Sequence, residues 1–397
     1  MARSASDSQW IDNPGRLIAI PLILLALSIF DVSLSRSFAS SFSDSENSTA
    51  RDQATDPQLD KRARVNALIE QFATRNAPGG AMAVIQNGEI LYEAAYGLAD
   101  VEKRTPLTTN HLFHLGSVGK QFSALGIRML VEQGRLNLDD PIGKSLPELA
   151  RFGPRLTIRH LLNQTSGIPD YYEDSELNRG LLDRSSMPIN QDALVVLSKF
   201  GKPHFVPGQK FEYSNTGYDV LGSVIERISG LSYGDFMERH IFRPLGMKDS
   251  FSLPSPRRAK NPRIPHSYIK EGGKLKAYDS DPLDNLVGSG SFYTTLADMY
   301  LYDQALYTNR LIPQSRLALA FKPTVLNDGQ ENLYGFGWEL GTHFRRRFTA
   351  HNGEWLGFTS AYLRFPDQYF SVIVLLNRNY GVDAEKLAFD ISDVYLR

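Results

Sequence analysis

The sequence predicts a mixed α/β (α+β) fold, with one antiparallel sheet built from both chain ends and flanked by helices, plus a mainly helical lobe from the middle. Three observations carry that expectation. Two strand-like runs near the front are joined by Asn87-Gly88, a pair that tolerates positive φ and so favours a tight hairpin. Strand-like runs return beyond Tyr334, with helical stripes and long loops in between. At 397 residues, 42% hydrophobic and 22% charged, the chain can fill a large core.

The first 57 residues are read apart from that fold. Leu17 to Phe30 is an apolar run after Arg16, too short for a comfortable membrane span and similar to a signal-peptide core. Ser37-Phe38-Ala39 offers the small residues a signal peptidase reads, so cleavage after Ala39 is expected. Asp7 and Asp12 fit a signal n-region poorly, which leaves open an uncleaved anchor or a start codon placed too early. Residues 1–39 are therefore read as a signal peptide or N-terminal anchor. Residues 40–57, rich in Ser, Asp, Asn, Glu and Thr, are a disordered linker, and residues 58–397 one two-lobed domain. A periplasmic or secreted location follows, with membrane attachment only through the N-terminal segment.

Within the domain, Val65, Leu68, Ile69 and Phe72 form a helical stripe over Leu59 to Ala73. The hairpin strands are Ala81 to Gln86 and Glu89 to Tyr96. Phe122, Leu125, Met129 and Leu130 predict a helix that stops at Gly134. Val220, Leu221, Val224, Ile225 and Ile228 predict another, closed by Gly230. Thr295 and Asp298 suggest a capping box for a helix carrying Leu296, Met299, Ala305 and Leu306. The late strands are Phe336 to Leu340, Arg346 to Ala350, Phe358 to Phe365 and Tyr369 to Leu376, followed by a helix over Leu387 to Leu396.

Composition excludes several functions. The net charge of -1 leaves no electrostatic footprint for nucleic acid. Zero cysteines exclude disulfides, thiolate zinc sites and a cysteine nucleophile. The eight histidines include no H-E-x-x-H, so neither a metal nor another cofactor is expected. A G-x-S-x-G elbow is also missing.

Ser117 and Lys120 stand three residues apart where a loop becomes a helix, on one helical face. A serine hydroxyl is a weak nucleophile until a base takes its proton, and a lysine whose pKa is lowered by its surroundings can do so. The spacing alone is weak, since Ser267 and Lys270 repeat it, but that copy runs into the turn Glu271-Gly272-Gly273-Lys274. Only Ser117 lies at a helix N-terminus, where an oxyanion is stabilised. Tyr213 and Asn215, after a short Lys210-Phe211-Glu212 strand, would point the same way in an extended loop. A tyrosine there can shuttle the serine's proton, and an asparagine amide can hold a substrate carbonyl or orient the lysine. His351-Asn352-Gly353 ends a late strand; Gly353 would let substrate lie along the strand edge, and the N–H of Glu354 would join that of Ser117 as an oxyanion donor.

Together these motifs resemble the penicillin-recognising serine hydrolases, the family of class C β-lactamases, D,D-peptidases and related esterases, in which S-x-x-K, Y-x-N and K-T-G or H-x-G follow in that order. Thr157 to Ile168 and Gly288 to Thr295 look similar as well. The resemblance covers about residues 58–397 and implies a serine β-lactamase-like fold. It also implies catalysis by Ser117, Lys120 and Tyr213 through an acyl-enzyme on Ser117. Asn215, His351, Gly353 and Glu354 would bind substrate, a small-molecule or peptide ester or amide. His351 replaces the lysine of true β-lactamases, which favours esterase or D-Ala-D-Ala-type peptidase activity over a class C-like β-lactamase. A histidine protonated as pH falls from about 8 to 6 would read a substrate carboxylate increasingly well. A binding protein for cell-wall peptides without turnover is the alternative of another class, and the intact Ser117, Lys120 and Tyr213 argue against it.

Overall fold

The computed structural model describes residues 57–397; the expected signal or anchor segment and nearly all of the linker lie outside the described residues. Helix α1 (Pro57–Glu70) leads into β1 (Gly80–Gln86) and β2 (Glu89–Tyr96), joined by Asn87 and Gly88 at φ 52° and 81°. From the far end come β3 (Glu339–His343), β4 (Arg346–Trp355), β5 (Phe358–Phe365) and β6 (Phe370–Leu376). These six form one antiparallel sheet in the order β3-β4-β5-β6-β1-β2, with Gly80 opposite Leu376 where the two chain ends meet.

Both faces of the sheet are covered, which is why its central strands are apolar almost without break. On the outer face Met82, Val84, Val372 and Val374 pack against Val65 and Ile69 of α1 and against Leu387 and Ile391 of the last helix, Ala384–Leu396. On the inner face Ala81, Ala83, Ile373 and Leu375 join the core of the helical lobe. At its centre is α2 (Lys120–Glu132), on which every residue from Lys120 to Leu130 is buried. Helix α3 (Asn215–Ser229) packs beside it, begun by the Ser214 hydroxyl accepting from Gly217 N and ended by Gly230 at φ 76°.

The antiparallel sheet and flanking helices agree with the expected fold class; several boundaries do not. The strand expected over Phe336 to Leu340 begins only at Glu339, because Gly335 N donates to Trp338 O at 2.8 Å and closes a turn there. No strand forms at Lys210 to Glu212, where no neighbouring strand is available and Glu212 N donates to Gln164 O. His351 to Gly353 lie inside β4, which runs on to Trp355. The Thr295 cap is half a box: its hydroxyl accepts from Asp298 N, while the Asp298 carboxylate turns to Ser250 and Asp249 N. The middle of the chain also holds short strands, including a ladder of Phe113–His114, Phe292–Thr294 and Phe251–Ser252.

A buried ion pair ties the helix Leu296–Ala305 to the sheet. One carboxylate oxygen of Asp303 accepts from Tyr362 OH at 2.7 Å, Ser371 Oγ at 2.6 Å and Arg364 Nε at 3.4 Å, and both charged side chains are 1% exposed. Removing one partner strands the other charge without water. Asp303→Ala is expected to lower stability by about 3–5 kcal/mol, read as a fall in the urea midpoint; a change under about 1 kcal/mol would show that the network carries little.

Candidate active site

The turn Gly116–Gly119 carries Ser117 from the short strand Phe113–His114 into α2. It lies hard against β4. A Cβ on Gly116 would sit 2.6 Å from Glu354 N, and one on Gly353 would sit 2.0 Å from Leu115 O and 2.9 Å from Ser117 N. The close approach of the Ser117 turn by itself requires glycine at 353. The same closeness brings the amides of Ser117 and Glu354 to one place.

Lys120 opens α2 with its side chain fully buried, and Nζ stands 3.0 Å from Ser117 Oγ. Its other two partners are Asn215 Oδ1 at 2.7 Å and the Ser289 carbonyl at 2.9 Å. The rings of Tyr213 and Tyr218 lie 4.7 and 5.6 Å from Nζ. Burial pushes the Lys120 pKa well below the lysine range, while the nearby Asp219 and Asp170 carboxylates pull it back up. Burial likewise raises the Tyr213 phenol well above its ordinary value, with the adjacent Ser117 hydroxyl as a smaller opposing influence.

The loop carrying Tyr213 is held by the stretch Thr157 to Ile168. Gln164 accepts from Glu212 N through its carbonyl and from Ser214 N through its side chain, clamping both sides of Tyr213. Asn215 is fixed by Asp170, whose Oδ2 accepts from Asn215 N at 2.7 Å and Nδ2 at 3.1 Å. The structure thus gathers Ser117, Lys120, Tyr213, Asn215, Gly353 and Glu354.

His351 also lies here, its ring centroid 6.2 Å from that of Tyr213, but 1% exposed and engaged at both nitrogens. Nδ1 is 2.6 Å from the Asn352 carbonyl, an acceptor, so Nδ1 carries the hydrogen and Nε2 accepts from Tyr334 OH at 2.9 Å. Burial, with the Lys120 charge adding to it, holds its pKa down at about 3. The expectation that His351 protonates between pH 8 and 6 and reads a carboxylate gets no support from this geometry, because the ring is buried, both nitrogens are engaged, and burial lowers its pKa. The second Ser-x-x-Lys copy is no pair at all. Ser267 donates to the Tyr278 carbonyl and Lys270 lies over the Tyr380 ring, out along a strand.

Sequence reasoning missed Asp170, Asp219, Ser289 and Tyr334. Asp219 had a signal, since it follows Asn215 by four residues on one helical face. Asp170, Ser289 and Tyr334 sit on loops with no period to betray them.

A sheet made from both chain ends with a Ser-x-x-Lys turn docked on it is the architecture of the penicillin-recognising serine hydrolases. Residues 65–396 match the β-lactamase family model, and the chain belongs to that family. It is 34% identical to penicillin-binding protein 4* of Bacillus subtilis over 82% of this chain and 74% of that protein. It is 27% identical to a D-aminopeptidase of Gluconobacter oxydans over 79% of this chain, and spans 59% of that longer relative. A structure of an octameric penicillin-binding protein homologue from Pyrococcus abyssi superimposes with a TM-score of 0.72 at 25% identity, covering 84% of this chain and 76% of that one.

The His351 assignment is tested by NMR titration. Its ring signals are expected to stay constant from pH 8 to 5, and a midpoint above pH 5 would return the carboxylate-reading role to this residue.

Proposed function

We propose that residues 58–397 form one catalytic domain, a serine hydrolase that cleaves ester or amide bonds of small-molecule or peptide acyl substrates through an acyl-enzyme on Ser117. The observation that carries this reading is the fully buried Lys120 with Nζ 3.0 Å from Ser117 Oγ. A lysine that sheds its proton readily is the base; Tyr213, held well above its ordinary pKa, remains a phenol and serves as proton donor and relay. Lys120 takes the Ser117 proton as Oγ attacks the carbonyl, and the amides of Ser117 and Glu354 hold the oxyanion. The leaving group departs with a proton delivered through Tyr213 and Lys120, and water then releases the acyl group by the same route. The Asn215 amide faces Lys120 and Asp170, so in this reading it orients the lysine.

His351 contributes no positive charge near neutrality, so a substrate carboxylate gains no ion pair there. This supports the esterase or D-Ala-D-Ala-type peptidase side over a class C-like β-lactamase. Neutral p-nitrophenyl esters are expected to exceed nitrocefin in kcat/KM, and the reverse order would favour the lactamase. The Leu17 to Phe30 run supports export to the periplasm or beyond, with anchoring only through that segment.

Ser117→Ala should abolish turnover and fluorophosphonate labelling while Ser267→Ala retains both; labelling that survives in Ser117→Ala would sink the assignment. Tyr213→Phe should fall by about a hundred- to ten-thousand-fold in kcat while folded by circular dichroism. A loss under about threefold would make Tyr213 a packing residue.

A further inference from the structure

We infer that Asp170 and Asp219 are positioning residues for the Lys120–Ser117 proton transfer proposed above, each fixing one of the two acceptors that keep the lysine's remaining hydrogens away from Ser117.

Among the described residues, Lys120 Nζ has three hydrogen-bond partners: Ser117 Oγ, Asn215 Oδ1 and Ser289 O. The last two can only accept. Ser117 Oγ is the one partner able to give a proton as well as accept one. A neutral amine has two hydrogens and one lone pair. If both hydrogens stay on the fixed acceptors, the lone pair faces Ser117, in the orientation a base needs.

That arrangement depends on the sense of the Asn215 amide, which Asp170 decides. A carboxylate only accepts, so Asp170 Oδ2 at 3.1 Å must face Nδ2, and Oδ1 is turned to Lys120. Asp170 is itself anchored by Tyr172 N at 3.0 Å. Asp219 does the same on the other side. Its Oδ1 accepts from Ser289 N at 2.7 Å, its Oδ2 from Tyr171 OH, and residue 289 is thereby held with its carbonyl on Nζ. Asp170 and Asp219 are only 8% and 2% exposed. The other titratable groups facing Lys120 carry no charge near neutrality: burial raises Tyr213 and Tyr218 above the ordinary tyrosine range and lowers His351. The two carboxylates therefore set both the geometry and the local charge of the lysine.

The test follows Lys120 directly, by the ¹³Cε NMR shift against pH, which reports its protonation whether or not the protein turns over. Asp219→Asn keeps an acceptor oxygen for Ser289 N, and its amide nitrogen can donate to a Tyr171 hydroxyl turned round to accept, but it removes a charge that favours the ammonium, so the Lys120 midpoint should fall by about one pH unit. The acid limb of fluorophosphonate labelling of Ser117 should move with it. Asp170→Asn should shift the midpoint the same way; it also lets the Asn215 amide turn over, and should cut the labelling rate at its pH plateau by about tenfold or more. Asp170→Asn carries the test if Asp219→Asn does not fold. A midpoint unmoved in a folded variant overturns the inference. A midpoint that moves while Ser117 of the unaltered protein resists labelling leaves the positioning intact and removes the hydrolase reading instead.

Discussion

The constraint on which the rest of the structure depends is the burial of a lysine ammonium. Taking Lys120 out of water carries a penalty of several kcal/mol that only well-placed partners offset. The molecule assembles them from three parts of the chain: Ser117 on its own turn; Asn215 at the start of α3 with the neighbouring Tyr213 and Tyr218 rings; and Ser289 on the loop before Phe292–Thr294. Each partner is in turn anchored, Asn215 by Asp170, Ser289 by Asp219 and the Tyr213 loop by Gln164. Incomplete satisfaction would make the lysine a liability. Complete satisfaction suits it to the base role proposed for it, because the same burial that is expensive also lowers its hold on a proton.

The two lobes meet at this point largely through backbone, with the Ser360 hydroxyl donating to the Leu115 carbonyl at 2.6 Å. Gly116 and Gly353 face each other so closely that a single Cβ on either would collide with the opposite strand or turn. That contact couples the position of the Ser117 amide to β4, and β4 belongs to a sheet whose register is fixed by alternation between two buried faces. A one-residue slip would exchange His351 with its outward-facing neighbours. The precision of the site thus derives from the sheet, although most of its reactive groups come from the helical lobe.

How far this was legible in the sequence depended on whether a position obeyed a period. The β1–β2 hairpin, β5, β6, α3 and the closing helix could be read because their apolar residues form short continuous runs or repeat at 3.6 and their ends carry recognisable turn or cap residues. Ser117, Lys120, Tyr213 and Asn215 were visible as motifs whose chemistry demands those spacings. What stayed hidden was set by tertiary contact. The late start of the strand expected from Phe336 reflects a turn closed by a backbone hydrogen bond, and the closeness of Gly353 to Leu115 is a packing constraint that no local pattern encodes. Asp170 and Tyr334 are loop residues whose partners lie 45 and 17 positions away.

His351 shows most clearly why residue type alone misleads. In water an imidazole is the side chain that titrates near neutrality. Inside β4 it loses solvent, its Nδ1 hydrogen goes to the Asn352 carbonyl, and its Nε2 lone pair is filled by Tyr334. A protonated ring would have to break the Tyr334 donation and stand close to the Lys120 charge, so the neutral form persists. Lysine at this place would face the same absence of water and the same neighbouring ammonium. Histidine accommodates both, because it satisfies its hydrogen bonds without charge. In the proposed mechanism, a neutral His351 beside Lys120 leaves the lysine as the group whose charge changes during proton transfer.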